Sequence, residues 1–317
     1  MDKQALRADL WLLLTACIWG FAFTAQRSGM AYMGPFSFNA FRFFLGSLTL
    51  APLAIVRLRR PEHRLDGTSG KPLSLKTYAA ASTLAGLCLF AAASFQQTGI
   101  IYTSAGNSGF ITGLYLVFTP IAGIFLGKKT GASTWTGAAL SFTGLFFLSA
   151  APQLFDAGSG PIRLNPGDLL TLVSALFWTA HILVIDTLVR RVDPVLLSAG
   201  QFLVCGLASL IIALGRETIS PAALGGGLIP LLYSGLCSVG IAYTLQVAAQ
   251  KYAPPAHAVI LLSLEGVFAA LGGVIILHEP LGRWTLAGFA LMFCGMLASQ
   301  WRRIRESRMA LDRGTAP

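Results

Sequence analysis

One acidic side chain of this 317-residue chain lies deep within an apolar run, namely Glu265 in the stretch 254–277. It follows Pro254 by eleven residues, which in a helix is roughly 16 Å, near the middle of a roughly 30 Å hydrocarbon layer. An ionised carboxylate at that depth costs about 3 kcal/mol or more unless it is paired or hydrated, so such groups usually face a polar cavity. Three roles stay open for Glu265: a protonated group that hydrogen-bonds neighbouring helices, a binding group for a cationic or amine-bearing molecule, and a site that titrates to couple protons.

The chain contains two copies of one unit, and the repeat gives Glu265 a counterpart. Matching residues are 159 positions apart early in each copy and 150 apart later: Asp9 with Asp168, Ala16 with Ala175, Trp19 with Trp178, Pro35 with Pro194, Phe43 with Phe202, Tyr102 with Tyr252, Val117 with Val267 and Phe118 with Phe268. The residue 150 positions before Glu265 is Tyr115. A polar residue from each copy at matching depth is the pattern expected of one shared site between the copies.

Further polar and aromatic residues inside apolar runs are candidates for the same site. Arg42 lies seven residues into its run, where its guanidinium either extends to the membrane surface or binds an anion such as a carboxylate. Trp19 and Trp178 share the mid-depth of their runs, although tryptophan favours the membrane interface, so they line a cavity or pack inside the protein. His181 is either a proton relay or a packing residue.

Asn107 and His257 are counterparts near the starts of two apolar runs, where they either line cavity mouths or cap helices. The candidate substrate-binding residues are therefore Trp19, Arg42, Asn107, Tyr115, Trp178, His181, His257 and Glu265. The sequence has no phosphate-binding loop, metal-ligand cluster or H-E-x-x-H motif, so we expect neither a metal nor a cofactor.

The composition is that of an integral membrane protein. Hydrophobic residues make up 55% and charged residues 11% of the chain, and the mean hydropathy is +0.68, whereas a soluble domain carries about 25% charged residues. The net charge of +10 does not indicate nucleic acid, because the basic residues lie at the ends of apolar runs, as orientation signals do. We predict ten membrane spans, near 10–30, 35–56, 78–97, 105–126, 134–150, 168–189, 195–214, 228–249, 254–277 and 284–301.

Five spans in each copy is an odd number, so the second copy must enter the bilayer from the opposite face. The predicted fold is an all-α integral membrane protein of ten transmembrane helices, arranged as two inverted five-helix repeats around a central cavity. The repeats are expected at 9–150 and 168–301, followed by a basic cytoplasmic tail at 302–317. With both termini in the cytoplasm, 18 of the 23 Lys and Arg residues lie inside, four lie outside, and Arg42 lies within a span, as the positive-inside rule requires.

Five motifs occur in order along the chain: Ile18-Trp-Gly-Phe21, Phe41-Arg-Phe43, Ala105-Gly-Asn-Ser-Gly-Phe-Ile-Thr-Gly-Leu-Tyr-Leu-Val-Phe-Thr-Pro120, Leu261-Leu-Ser-Leu-Glu-Gly-Val-Phe-Ala-Ala-Leu271 and Leu277-His-Glu-Pro-Leu281. These motifs resemble those of the drug/metabolite transporter superfamily, EamA type. The resemblance covers about residues 9–300 and implies a multi-pass transporter of the inner (plasma) membrane. It implies alternating-access movement of a small metabolite, such as an amino acid or an amphiphilic compound, often outward.

Two positions depart from the family pattern. Gly266 stands where the family usually has proline after the glutamate, which predicts a straighter or looser helix near Glu265. His278 stands where the family tends to have glycine before the glutamate at the end of the span.

Two other classes of protein are alternatives. A non-transporting membrane scaffold or accessory subunit would not depend on Glu265, Tyr115 or the paired tryptophans. An intramembrane serine protease is a remote alternative, because Gly106-Asn-Ser-Gly109 fits a G-x-S-G pattern with Ser108 as nucleophile and His257 as base. The repeat has no explanation in that scheme, so we expect no enzyme. The expected partners are a small-molecule substrate, the lipid bilayer and, as open alternatives, a proton and a second copy of the chain.

Overall fold

The computed structural model describes residues 3–127, 131–155, 164–250 and 261–301, together with residue 305. Long helices alternate with short connections, and the described part holds no β-structure beyond one bridge between Leu65 and Pro72. The helices of the first half are α1 (Lys3–Gly29), α2 (Pro35–Arg59), α3 (Leu75–Gly99), α4 (Ala105–Thr112), α5 (Tyr115–Ala122), α6 (Ala132–Ser149) and α7 (Ala151–Phe155). Short 3₁₀ turns cover Pro61–Arg64 and Gly123–Leu126.

The second half repeats this order with one irregular element. Its helices are α8 (Pro166–Leu188), α9 (Pro194–Arg216), α10 (Pro221–Gly226), α11 (Leu228–Leu232), α12 (Tyr243–Gln250), α13 (Glu265–Leu277) and α14 (Arg283–Ser299), with a π-helical segment (Tyr233–Ala242) between α11 and α12. Proline occupies the first turn of α2, α8, α9 and α10, where its missing N–H has no helical partner to lose.

Seven stretches are long and apolar enough to cross a membrane: Arg7–Gly29, Pro35–Arg59, Leu75–Gly99, Ala105–Phe125, Pro166–Leu188, Pro194–Arg216 and Leu228–Gln246. The apolar stretches Leu261–Leu277 and Arg283–Ser299 are shorter, and α6 has 18 residues. These ten stretches follow the order of the ten predicted spans. Three of the predicted continuous spans are interrupted. Helices α4 and α5 are separate, the eighth stretch changes to a π-helix, and a turn at Leu264 precedes α13.

Counterpart helices of the two halves pack against each other and run in opposite directions. The last turn of α2 meets the start of α9, where Arg57 and Asp193 lie 2.7 Å apart. At the opposite end of the same pair, the Glu217 carboxylate after α9 accepts the backbone N–H of Ser37 at the start of α2, at 2.7 Å. Helices α2 and α9 are therefore antiparallel.

The same antiparallel arrangement recurs in two other counterpart pairs. Glu279, just after α13, accepts the N–H of Ala105 at the start of α4, while Gly109 later in α4 meets Gly266 early in α13. Helix α6 packs along α14 with Gly144 near Gly288. A Cβ at Gly144 would lie 2.7 Å from the Gly288 carbonyl oxygen, so only glycine allows the two backbones to approach this closely.

The remaining packing is reciprocal between the halves. Helix α1 packs on α13 as α8 packs on α4, and α3 packs on α8 as α1 packs on the π-helical segment. Helix α3 also packs on α9, just as the π-helical segment packs on α2. Each of these contacts thus has a counterpart when the two halves are exchanged.

The connection between α2 and α3 is fastened to the opposite half. Asp193 binds Arg57 and also His63 Nδ1, at 3.0 Å. Asp66 lies 3.3 Å from the Arg191 side chain and accepts bonds from the backbone N–H groups of Thr68 and Ser69. We call this the Asp193 end of the molecule, and the opposite end, which carries Glu217 and Glu279, the Glu279 end.

Candidate functional site

Tyr115 and Glu265 each begin a helix immediately after an interruption. Helix α4 ends at Thr112, two turn residues follow, and Tyr115 starts α5. In the second half, helical residues up to Ser263 are followed by a turn at Leu264, and Glu265 starts α13. A carboxylate in the first turn of a helix is stabilised by the unpaired N–H groups and the helix dipole. Discontinuous membrane helices of this kind supply substrate and ion sites in transporters.

The two counterparts meet. The Tyr115 side chain lies close to the Glu265 carboxyl, near enough for the two groups to interact. Glu265 is 5% exposed, and its Oε1 is buried without a hydrogen-bond partner among the described residues. The pair therefore leaves one buried carboxyl oxygen free to accept a hydrogen bond. We call these two residues the Tyr115–Glu265 pair.

Helix α1 and the Phe110 ring of α4 pack against the start of α13, next to Glu265. A Cβ at Gly20 would lie 2.6 Å from the Glu265 carbonyl oxygen, so glycine allows α1 to touch the helix start directly. On the other side, a Cβ at Gly266 would lie 3.1 Å from the Phe110 ring, and that ring stacks on Phe289 at 4.1 Å between centroids. The Phe110 ring thus occupies the space that a side chain at position 266 would need. The helix is interrupted at Leu264 although it lacks the proline of the family pattern.

Trp19 joins α1 to the π-helical segment. Its Nε1 donates to the carbonyl of Ser238 at 3.0 Å, and Tyr233 donates its hydroxyl hydrogen to the carbonyl of Ile18 at 3.1 Å. Two hydrogen bonds therefore join α1 to the π-helical segment. Trp19 also packs against a cluster that contains Leu262, one turn before Glu265.

Trp178, the counterpart of Trp19, has a different environment. It packs against a cluster of α2, α3 and α9 residues that includes Phe43, Leu89 and Cys205, and its Nε1 is buried without a partner among the described residues. His181 lies edge-on to the Trp178 ring at 5.7 Å between centroids.

His181 is buried and hydrogen-bonded rather than isolated. Its Nε2 lies 2.8 Å from Gln201 Oε1, and Gln201 is fully buried on α9. Gln201 is the counterpart of Arg42, and the Tyr243 hydroxyl lies near it. His181 thus belongs to a polar group of α8, α9 and α12.

Arg42 is buried in the protein rather than extended to the surface. It is 4% exposed, and its guanidinium lies 4.7 Å from the centroid of the Phe43 ring. Its Nε has no hydrogen-bond partner within the described ranges, and no salt bridge there includes it. The Cys205 side chain lies within electrostatic range of the guanidinium, and the Phe43 ring packs on Phe202 at 5.9 Å between centroids.

Asn107 lines a separate cavity at the Glu279 end. The cavity has a volume of about 320 Å³, and Arg27, Asn165 and Glu279 share its wall with Asn107. The helix-capping side chain at the start of α4 is Ser104, whose Oγ accepts the Asn107 N–H at 3.0 Å. His257 lies outside the described residues, and Ser108 is fully buried. The described residues contain no group of three or more His, Cys, Asp or Glu able to hold a metal ion.

The sequence analysis did not single out the polar residues that fix the connection between α3 and α4. Arg27 donates to the carbonyl of Ile100 at 2.9 Å, and Thr103 donates to the Asp168 carboxylate. The positions of these residues at span ends gave no sign of these contacts. The family glycine before Glu279 has a local explanation here: His278 ends α13 with φ of 54°, a left-handed conformation that favours glycine.

The fold and the two-copy helix order define a multi-pass integral membrane protein. The sequence model of the EamA-like transporter family matches this chain twice, over residues 6–150 and 165–299. The chain therefore belongs to the EamA-like transporter family, within the drug/metabolite transporter superfamily that its motifs resemble.

Individual relatives agree with this assignment. An uncharacterized transporter of Archaeoglobus fulgidus is 32% identical over 88% of this chain and 80% of its own length. The uncharacterized transporter YoaV of Bacillus subtilis is 22% identical over 92% and 96%, and the WAT1-related protein At5g64700 of Arabidopsis thaliana is 22% identical over 98% and 94%. A solved crystal structure has the same fold, with a TM-score of 0.64 and 18% identity over 94% of this chain and 98% of the other.

Proposed function

We propose that the chain is a secondary transporter that exports a small metabolite or amphiphilic compound across the inner membrane by alternating access. In this proposal ten spans form two inverted repeats, residues 9–150 and 168–301, around a central cavity. The antiparallel packing of α2 with α9, of α4 with α13 and of α6 with α14 supports the inverted arrangement, because copies related by an in-plane axis run in opposite directions. Outward movement is the direction that the family resemblance implies.

The proposed orientation has both termini, the tail 302–317 and the Asp193 end in the cytoplasm. The distribution of Lys and Arg supports it. The test is labelling of single cysteines in a cysteine-free background, in intact cells, with a thiol reagent that cannot cross the membrane. We expect labelling at Ser220, at the Glu279 end, and protection at Thr68, in the connection between α2 and α3. Labelling of position 68 from outside would contradict the orientation.

The Tyr115–Glu265 pair is the proposed centre of the transport site. The single observation that carries this proposal is a buried carboxyl with a free Oε1, positioned where both counterpart helices are interrupted. The free acceptor would bind an ammonium group of the substrate or a proton, and both are known uses of intramembrane carboxylates. The proposed site extends to Trp19 and Trp178, which occupy matching positions on α1 and α8.

The experiment is transport into proteoliposomes that contain the purified protein, using a panel of labelled amino acids and amines with and without a proton gradient. Glu265→Gln keeps the size of the side chain but cannot titrate, and Tyr115→Phe removes only the hydroxyl. Tyr102→Phe is the matched control, because Tyr102 is 56% exposed. We expect at least tenfold slower flux for Glu265→Gln if the carboxylate binds an ammonium group.

A proton-coupling role gives a different result in the same assay. Glu265→Gln should then keep substrate exchange but lose its dependence on the pH gradient. Wild-type flux and wild-type gradient dependence in both Glu265→Gln and Tyr115→Phe would reject the Tyr115–Glu265 pair as the transport site. Absence of flux for every compound with the wild-type protein would favour a scaffold role over transport.

A further inference from the structure

The two counterpart tryptophans differ in one hydrogen bond. Trp19 donates its Nε1 hydrogen to the carbonyl of Ser238 in the π-helical segment. The counterpart of Ser238 in the first half is Cys88, 150 positions earlier, which lies in the regular α-helix α3. Trp178 packs against this helix and is left with a buried, unpaired donor.

Arg42 adds a second unpaired donor, this time charged. Its side chain is 4% exposed, its Nε has no partner among the described residues, and the Phe43 ring and the Cys205 side chain lie near it. A buried guanidinium without a carboxylate is costly, because the lost hydration is not replaced by an opposite charge. Arg42 nevertheless carries a charge at this position, whereas its counterpart in the second half is the neutral Gln201.

Arg42 and Trp178 belong to the same region of the protein. The Phe43 ring under the guanidinium belongs to the hydrophobic cluster against which Trp178 packs. Cys205, the electrostatic neighbour of Arg42, is a member of that cluster too. Gln201 lies one helical turn before Cys205. Its amide Nε2 is buried without a hydrogen-bond partner among the described residues, although the Tyr243 hydroxyl is near.

These groups have one chemical property in common, which is that they donate hydrogen bonds and lack an acceptor. A carboxylate supplies two acceptor oxygens and the missing negative charge, and the planar guanidinium matches its geometry. Water could satisfy the tryptophan, but it brings no charge to balance Arg42. We propose that the transported molecule carries a carboxylate and that Arg42 binds this group, assisted by Trp178 Nε1 and Gln201. This inference rests on the proposed transport function and specifies the chemistry of its substrate.

The test uses matched sets of probes and the intact protein in detergent. One set is L-leucine, 4-methylpentanoate and isoamylamine, and the other is L-phenylalanine, 3-phenylpropanoate and phenethylamine. Binding is measured as the shift of the thermal unfolding midpoint with probe concentration. We expect the amino acid or the acid of at least one set to raise the midpoint of the wild-type protein, and the amine of that set to have a smaller effect.

The variants separate the donors from the rest of the fold. Arg42→Gln introduces the residue that its counterpart already has, so the fold is expected to accept it, and the apparent affinity for the carboxylate probe should fall roughly tenfold or more. Trp178→Phe removes the unpaired N–H and should lower the apparent affinity for the same probe several-fold. This second variant keeps the test valid if Arg42→Gln fails to fold. Trp135→Phe is the control, since Trp135 is 56% exposed on α6.

Two outcomes would overturn the inference. One is that no carboxylate probe binds, including the case in which only amines are bound and transported, which leaves the transport function intact. The other is that carboxylate binding is unchanged in both Arg42→Gln and Trp178→Phe. If Glu265→Gln loses flux but still binds the carboxylate probe as the wild-type protein does, the result would support both proposals separately.

Discussion

Asp193 is predicted to hold the two halves of the protein together at one end. Its Oδ1 accepts the backbone N–H groups of Val195 at 2.9 Å and Leu196 at 3.2 Å, and so caps α9. Its Oδ2 accepts Arg57 at 2.7 Å and contacts His63 Nδ1 at 3.0 Å. One carboxylate therefore caps a helix of the second half and binds two side chains of the first half.

The two contributions can be separated by substitution. Asp193→Asn keeps a capping oxygen and loses the charge, and we expect a loss of about 1 kcal/mol or less, because the Arg57 side chain is 31% exposed and solvent screens a pair of this kind. Asp193→Ala also removes the cap, which costs about 1 kcal/mol more. Asp193→Ser restores capping without charge. The expected order of stability is wild type, then Asn and Ser together, then Ala.

The same contact is expected to bias the conformation of the transporter. If the Asp193 end opens during transport, the contact must break, and about 1 kcal/mol corresponds to roughly fivefold more of the open state. Ala54, 7% exposed on α2 near this end, can carry a single cysteine in a cysteine-free background. Its alkylation should be roughly fivefold faster in Asp193→Asn. Glu217→Gln, which loosens the opposite end of the same helix pair, is the matched control and should not accelerate it.

Stability is measured by thermal unfolding in detergent, with Arg57→Gln and the double variant completing a cycle. A coupling energy near zero between Arg57 and Asp193 would refute the reasoning about the ion pair. Equal stability of the Asn and Ala variants would refute the capping contribution. Unchanged alkylation at position 54 would show that the contact does not restrain opening.

Three further predictions concern the connection between α2 and α3, the end of α13 and the tryptophans. The Thr68 hydroxyl and the N–H groups of Thr68 and Ser69 hold the pKa of Asp66 well below its usual range. The stabilisation is thus present above pH about 4 and is lost as pH falls towards the folded-state pKa. We therefore expect proteolysis of this connection to accelerate in acid for the wild-type protein, and already at neutral pH for Asp66→Asn. His278→Gly should raise stability by about 1 kcal/mol in thermal unfolding, because φ at this position is 54° and glycine adopts it without strain; a lower midpoint would contradict this. Trp19→Phe should cost about 1 kcal/mol because it breaks a hydrogen bond to Ser238, whereas Trp178→Phe breaks none and should cost less in the same measurement.

The sequence predicted the helix positions and one contact between distant residues. The apolar runs located the ten stretches, because they depend on local composition. The separation of 150 residues also paired Tyr115 with Glu265, since copies that pack about a pseudo-twofold axis bring counterparts near that axis together. Their interaction was predictable in this way, although its role in binding stays a prediction.

Other features were beyond the sequence because they depend on tertiary packing. Nothing in Tyr233–Ala242 signals a π-helix, although the Ser238 carbonyl within it accepts the Trp19 Nε1 hydrogen. The break after Thr112 has a single glycine, Gly113, as local signal. The pairing of Arg57 with Asp193 has no local signal either, because it requires the counterpart helices to be packed in opposite directions.

The differences between the two copies bear on the energy difference between the two end states of the proposed transporter. In an inverted-repeat transporter the two end states exchange the conformations of the copies, so two identical copies would hold both states at equal energy. The helix pair α2 and α9 is fastened at each end by a carboxylate, Asp193 at one and Glu217 at the other. The larger differences between counterparts lie in the interior, where Arg42 corresponds to the neutral Gln201 and Glu265 to the phenol of Tyr115. In the proposed mechanism these interior groups interact with the substrate as well as with the protein, so the residues proposed to select the substrate would also set the energy difference between the two states.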